Sequence, residues 1–308
     1  YEVSYMNSGK MTNKGWEFRV DAVPFENKDW RVGFYFNIAH NENKITEMPD
    51  NYTEENYTFG NGIYAYRREE GRPMGSFYGY RYKGVCQNKD ATYARDADGN
   101  VMKDISGNAI VMRNGTATIA PGDALYEDIN HDGVINQYDI VYLGNSNPRF
   151  TGGAGVNVSY KQFKLSAIFY GRYGQDVVNS TRLNNESMRG IDNQSTAVLR
   201  RWRNEGDQTD IPRALYGEGY NTLGSDRFVE DASYLRLKSL SFNYRLPKKI
   251  IQRWGFSNID VYVTGYNLFT WTKYTGQDPE VKTENTYATD SATTPASIQL
   301  VAGFNLSF

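Results

Sequence analysis

Apolar and polar residues alternate along several stretches of the chain. This pattern predicts β-strands, because successive side chains of a strand point to opposite faces. In the final stretch every second residue is apolar: Ile298, Leu300, Ala302, Phe304, Leu306 and Phe308. Comparable runs begin at Trp16, Trp30, Val156, Phe163 and Ile259. These runs are about as long as the ~9–11 residues that a tilted strand needs to cross a bilayer. The pattern predicts strands with one apolar and one polar face, as in a transmembrane β-barrel.

The alternation changes phase within the segment 234–246. Leu235 and Leu237 are apolar on one parity, whereas Leu240 and Phe242 are apolar on the other. One interpretation is a β-bulge, in which one extra residue shifts the alternation. The other is a long strand of which one half lies outside the membrane and faces different surroundings.

Short and long connections separate these strands. Tight turns are predicted at 26–29 and at Lys161-Gln162, and small local hairpins at 96–100 and 106–108, where Asp, Asn, Ser and Gly favour turns. The long polar segments are about 41–74, 87–150, 174–230 and 273–295. Short turns on one side and long loops on the other are typical of membrane barrels. The chain is therefore predicted to be all-β: one domain over 1–308, a transmembrane antiparallel β-barrel segment with long extracellular loops and roughly 8–11 strands.

The composition excludes one class of protein but does not distinguish a membrane barrel from a soluble β protein. A net charge of −2 excludes a strongly basic nucleic-acid binder. Aromatic residues make up 15% of the chain although the mean hydropathy is −0.67. That combination fits a barrel with aromatic girdles, and it fits a soluble carbohydrate-binding β protein equally well. The single cysteine, Cys86, allows no disulfide within the chain.

One oxygen-rich loop is the sharpest local signal for a ligand. Its candidate ligands have the spacing of an EF-hand calcium loop: Asp128, Asn130, Asp132, the backbone carbonyl of Val134, and Asp139. Gly133 stands where that loop makes its sharp turn, and Asp139 replaces the usual bidentate Glu. The sequence predicts a structural Ca²⁺ that holds an extracellular loop. The alternative is a solvated turn, because Asp, Asn and Gly favour such turns without a metal.

Little in the sequence points to catalysis. The only histidines are His40, at the end of a strand, and His131, inside the oxygen-rich loop. No phosphate-binding loop of the GxxxxGK[ST] kind is present. The chain is predicted not to be an enzyme, and no catalytic residue is nominated.

An ordered set of motifs runs through nearly the whole chain. The segments are 13–17 (NKGWE), 122–136 (GD through DINHDGVIN), 144–148 (GNSNP), 231–237 (DASYLRL), 267–270 (NLFT) and 278–280 (DPE). Together they resemble the SusC/RagA-type TonB-dependent outer-membrane transporters of Bacteroidetes. The stretch 88–120 departs from that pattern by its greater length.

The resemblance implies a location and a set of partners. The chain would be the C-terminal part of a transporter barrel in the bacterial outer membrane, with the plug and the first strands absent. The partners would be the rest of the barrel and plug, the lipid bilayer, TonB through the missing N-terminal part, and a SusD-like surface lipoprotein. The cargo would be an oligosaccharide or a peptide.

The residues themselves leave a second function open, a calcium-stabilised β-rich adhesin or carbohydrate-binding module. The side chains of Trp16, Trp30 and Phe308 discriminate between the two. In a barrel they contact lipid, whereas in a binding module they pack into a dry core.

Overall fold

The computed structural model describes residues 9–49, 59–217, 219–281, 283–284 and 287–308. Within them no helix is long and apolar enough to cross a membrane. The helices are α1 (Ser180–Asn185), α2 (Lys248–Ile251) and the 3-10 turns Asp90–Thr92, Gln137–Asp139, Thr196–Arg200, Asp226–Phe228 and Gln252–Trp254. The strands are β1 (Lys10–Glu26), β2 (Trp30–Glu47), β3 (Ser76–Gly79), β4 (Tyr82–Val85), β5 (Arg113–Asn114), β6 (Ala117–Thr118), β7 (Ala124–Tyr126), β8 (Val134–Ile135), β9 (Val141–Asn145), β10 (Phe150–Tyr160), β11 (Phe163–Tyr173), β12 (Asp176–Asn179), β13 (Val229–Asp231), β14 (Tyr234–Arg245), β15 (Asn258–Thr272), β16 (Thr283–Glu284), β17 (Tyr287–Asp290) and β18 (Gln299–Ser307).

One large antiparallel sheet organises the chain. It contains seven strands in the order β1-β2-β10-β11-β14-β15-β18, so the predicted all-β class is confirmed. The sequence predicts roughly 8–11 strands for the barrel segment, whereas seven strands of the described residues lie in this sheet. The other described strands have at most five residues and lie in the connections. Among the described residues β1 and β18 each pair on one side only, so the sheet is open and has two free edges.

The sheet has two chemically different faces. Residues directly opposite each other in an antiparallel pair lie on the same face. The apolar face follows the pairs Phe18↔Ile38, Phe36↔Ala154, Val156↔Ala167, Leu165↔Phe242, Val263↔Ala302 and Val261↔Phe304. The polar face follows the pairs Arg19↔Asn37, Asn157↔Ser166, Ser241↔Thr264, Arg245↔Asp260 and Asp260↔Asn305. The predicted alternation is therefore real and stays in phase from strand to strand.

The apolar face is not a buried core. Trp16 is 50% exposed, Trp30 41% and Phe308 90%, so none of them packs into a dry interior. This contradicts the condition set for an adhesin or binding module, which needs these side chains buried. It agrees with a face that meets lipid.

The phase change in β14 is a β-bulge. Ile168 and Phe169 are consecutive in β11, yet they pair with Ser239 and Leu237, so Lys238 is an extra residue. The bulge returns Leu237 to the apolar face, where it pairs with Phe269. Both halves of the strand therefore keep an apolar side towards the same surroundings, and the shift needs no change of environment.

The connections differ in length at the two ends of the sheet. At the end that we call the turn end, Asn27 Oδ1 accepts hydrogen bonds from the N–H groups of Asp29 and Trp30, at 2.9 and 2.8 Å. Lys161, with φ of 49°, makes the tight turn between β10 and β11. The predicted turns are therefore confirmed. At the other end lie the described residues of the segments 48–149, 174–233 and 273–298, which we call the cap.

The buried core lies in the cap. Tyr80, Cys86, Ala124, Tyr126, Ile135 and Leu223 form the largest cluster of buried side chains. Small sheets stand around it: β13-β12-β17-β16, β3-β9, β4-β7 and β6-β5-β8. The bridges Arg95↔Val101 and Lys103↔Ala109 confirm the two predicted local hairpins. The cap is thus a packed unit with its own buried core at one end of the long strands.

Candidate functional site

Aromatic side chains form two bands on the apolar face. At the turn end the ring centroids of Trp30 and Tyr160 lie 4.4 Å apart, and those of Phe163 and Tyr244 4.7 Å apart. At the cap end the corresponding pairs are Trp16–Phe150 at 6.2 Å, Phe150–Tyr173 at 6.4 Å and Phe169–Trp271 at 6.4 Å. Aromatic rings favour the two interfaces of a membrane, where an apolar body and a polar edge are both satisfied.

The spacing of the bands matches a membrane. Along β10, the stretch from Phe150 to Tyr160 spans about 33 Å at ~3.3 Å per residue. A tilt of about 40°, usual for barrel strands, reduces this to roughly 25 Å across the bilayer. That is about the height of the apolar band of an outer-membrane barrel.

The polar face is lined with hydrogen-bonding and charged groups. Ser241 Oγ lies 2.8 Å from Thr264 Oγ1, and Ser166 Oγ donates to Asn157 Oδ1 at 2.7 Å. Near the turn end an open cavity of about 550 Å³ carries both charge signs on its walls: Asp21, Arg31, Tyr35, Asn157 and Lys164. Gly155 lets the Tyr35 ring lie flat there, since a Cβ would come within 2.1 Å of that ring. Such a surface can face water or a hydrophilic ligand.

The predicted calcium loop folds as a compact turn in the cap. Asp128 Oδ2 accepts from the N–H of Gly133 at 2.8 Å, and Asp132 Oδ1 accepts from the N–H of Val134 at 2.8 Å. Gly133 has φ of 81°, the left-handed backbone that the sharp turn requires. Asn130 Nδ2 donates to Asp132 Oδ2 at 2.9 Å.

Asp139 closes this loop from a buried position. Its two oxygens accept from the N–H groups of Ile129 and Asn136, each at 2.8 Å. Burial raises the pKa of the Asp139 carboxyl, while those two N–H groups oppose the rise. Within the described residues, no three His, Cys, Asp or Glu side chains are placed to hold one metal ion. The calcium site therefore stays a prediction.

Three tyrosines of the cap and both histidines have structural contacts. Tyr64, Tyr78 and Tyr80 are buried in the cap and are unavailable for stacking on a ligand. His40 Nδ1 lies 2.7 Å from the carbonyl of Arg149, and His131 Nδ1 lies 3.3 Å from that of Arg95. The three tyrosines and His131 thus make contacts within the cap, whereas His40, in β2, links the large sheet to the cap at Arg149.

A buried charge cluster on the polar face was not anticipated from the sequence. Arg236 is 2% exposed and forms ion pairs with Asp278 and Glu280, and Lys238 Nζ lies 2.8 Å from Glu280. Burial opposes ionisation of Asp278, but the N–H groups of Ala296 and Glu280 and the Arg236 guanidinium lower its pKa. The cluster fixes the part of the cap around Asp278 and Glu280 to β14. In the sequence, only the phase change of β14 and the DPE motif at 278–280 pointed to the region of this charge cluster.

Comparison with known proteins identifies relatives of the chain. TonB-dependent receptor P3 of Formosa agariphila is 33% identical over 287 residues, which are 91% of this chain and 26% of the receptor. TonB-dependent receptor SusC of Bacteroides thetaiotaomicron is 26% identical over 98% of the chain and 27% of SusC. The solved structure of the RagAB peptide transporter matches with a TM-score of 0.69 and 26% identity, over all of this chain and 30% of that one. No protein-family model matches the chain.

The chain spans about a quarter of the length of the curated relatives it matches. The relatives are named as receptors and transporters, not as enzymes, in agreement with the expectation that the chain is not an enzyme. By sequence and by fold, the chain is therefore similar to part of the TonB-dependent receptors of the SusC/RagA type, which are proteins of the bacterial outer membrane.

Proposed function

We propose that the seven-stranded sheet is part of the wall of a larger barrel that imports nutrients across the outer membrane. The observation that carries the proposal is the exposed apolar face between two aromatic bands, backed by a polar face. The free edges of β1 and β18 would leave backbone groups unpaired in lipid. Further strands of the same protein therefore complete the wall, and this chain supplies the C-terminal part of the barrel.

The cargo in this proposal is an oligomeric glycan or peptide, and its passage makes and breaks no covalent bond. TonB supplies energy through a plug that lies outside this chain, as the name TonB-dependent receptor suggests for the relatives. The matched RagAB structure is described as a peptide transporter, which supports an oligomeric cargo. The polar face offers that cargo hydrogen bonds along its path.

A SusD-like surface lipoprotein completes the proposed assembly by covering the cap. Several large apolar side chains of the cap are exposed to solvent: Ile105 is 107% exposed, Ile191 93% and Tyr216 78%. Exposed apolar side chains of this kind supply contacts for a protein partner when they form part of a larger surface. The cap is also the end of the sheet where the long loops gather.

The proposal is tested on the intact protein in its native membrane. We expect it to leave the membrane only with detergent and to co-purify with one surface lipoprotein. Cells should take up a fluorescein-labelled casein digest or a labelled starch digest, and a protonophore should abolish that uptake. Release as a soluble monomer without detergent would refute the barrel, and uptake that survives the protonophore would refute the dependence on TonB.

We further propose that the loop formed by Asp128, Asn130, Asp132, Val134 and Asp139 binds a structural Ca²⁺ in the cap. The support is the EF-hand spacing together with the turn at Gly133, whose φ is 81°. The ion would be held by oxygen atoms alone and would tie the segment 128–139 into one compact unit. It takes no part in transport chemistry.

Removal of calcium should loosen the cap. Ligand binding stabilises by RT ln(1 + [L]/Kd), or about 2.7 kcal/mol at 100 Kd. Excess EGTA should therefore speed tryptic cleavage of the cap in the intact protein by tenfold or more. Asp132→Asn should be cleaved fast with or without calcium, whereas Asp98→Asn, in an exposed hairpin turn, should keep the calcium response. Cleavage of the unsubstituted protein that ignores EGTA would rule the site out.

A further inference from the structure

A second cavity lies on the polar face where the sheet meets the cap. It is open and has a volume of about 660 Å³. The residues that bear on its chemistry are Arg172, Asp278, Glu280, Thr293 and Thr294. It is separate from the cavity near Asp21 and Lys164 at the turn end. It combines one strand of the wall with two segments of the cap.

Both carboxylates that line this cavity are paired with cations. Asp278 and Glu280 are both engaged by Arg236, and Glu280 also by Lys238. The lowered pKa of Asp278 keeps it ionised at neutral pH. Arg236 and Lys238, which lie outside the lining, pair with both carboxylates, so Arg172 is the one charged residue of the lining without an ion pair among the described residues.

Arg172 is the cation that lines this cavity. It forms no ion pair with any described residue, and its Nε donates only a long hydrogen bond of 3.4 Å to the hydroxyl of Tyr170. Directly opposite on β14 is Tyr234, which is 5% exposed and whose hydroxyl has no hydrogen-bond partner among the described residues. A buried hydroxyl without a partner costs free energy unless something else bonds to it.

We propose that this cavity is a subsite for a carboxylate group carried by the imported oligomer, and that Arg172 binds that group. A guanidinium presents two parallel N–H donors that match the two oxygens of a carboxylate. The hydroxyls of Thr293 and Thr294 line the same cavity and add uncharged donors and acceptors. The carboxylate belongs either to a peptide or to the uronic acid of an oligosaccharide, since both present the same group.

This inference rests on the proposed import function and deepens it, and binding tests it separately from transport. The intact protein in detergent is titrated with a labelled octa-alanine peptide bearing a free C-terminal carboxylate and with the same peptide amidated. A second arm compares labelled trigalacturonate with maltotriose. We expect the acid to bind at least about tenfold more tightly than its neutral counterpart in one arm, since hydrogen bonds between charged groups are stronger than those between neutral groups.

Matched variants assign the preference to this cavity. Arg172→Gln should abolish the preference for the acid, whereas Lys164→Gln, at the other cavity of the polar face, should retain it. If Arg172→Gln does not assemble, the comparison of acid with neutral ligand in the unsubstituted protein still tests whether a carboxylate is preferred. An absence of preference in both arms, or a preference that persists in assembled Arg172→Gln, would overturn the inference. Energy-dependent uptake that persists in that case would leave the proposed import function standing.

Discussion

Val156→Lys should prevent most of the protein from assembling in the outer membrane. Val156 is 42% exposed on the apolar face and lies near the middle of β10, between the two aromatic bands. A lysine at the bilayer midplane of a barrel costs about 2–4 kcal/mol. The measurement is the fraction of folded, heat-modifiable protein in the outer membrane, together with its unfolding by guanidinium in vesicles.

The adjacent residue supplies the control for this experiment. Asn157 lies on the polar face, where its Oδ1 accepts from Ser166 at 2.7 Å. Asn157→Lys loses that hydrogen bond, which contributes about 1 kcal/mol, but it places no charge in lipid. We therefore expect near-normal assembly. Equal damage from the two substitutions, or greater damage from Asn157→Lys, would contradict the assignment of the faces.

Arg236→Met should detach the part of the cap around Asp278 and Glu280 from the wall. The substitution leaves Asp278 without its ion-pair partner in a half-buried site, and it removes one of the two partners of Glu280. Breaking a buried pair by removal of one partner costs about 3–5 kcal/mol. We expect faster proteolysis around Asp278 and Glu280 and a lower free energy of unfolding.

Arg245→Met is the matched control for the charge cluster. Arg245 lies on β14, the strand of Arg236, and pairs with Asp260 of β15 at 2.9 Å, but its side chain is 64% exposed. Exposed pairs contribute about 0–1 kcal/mol, so this variant should behave almost like the unsubstituted protein. Two variants that are equally stable would show that the Arg236 cluster does not anchor the cap.

The strands of the wall could be predicted from the sequence, because the face on which a side chain lies depends only on its position along its own strand. A strand side chain reaches one of two faces according to parity alone, so the alternation after Trp30 already separates the lipid side from the polar side. Even the bulge at Lys238 left a visible change of phase. The number of strands in the wall does not follow from the alternation, because sequence alone does not separate strands of the wall from the short strands of the cap.

The cap could not be predicted in the same way. Its strands have two to five residues, which is too short for a periodicity to show, and its contacts join segments far apart in the chain. Tyr78 and Tyr138 are both tyrosines of the cap, yet Tyr78 is fully buried and Tyr138 is exposed. The pairing of Arg236 with Asp278 depends on how a loop folds back onto a strand. The spacing of these two residues in the sequence does not predict that contact.

The central claim is that one face of the sheet meets lipid and the other meets water. Spin labels at positions 156, 158, 157 and 159 of the intact protein, with Cys86 replaced by Ser and the protein reconstituted in lipid vesicles, test it most directly. Collision rates with oxygen, which concentrates in lipid, should be high at 156 and 158 and low at 157 and 159. Rates with a water-soluble nickel chelate should show the opposite pattern. Four labels with the same ratio of the two rates, or an alternation of reversed sign, would contradict the account.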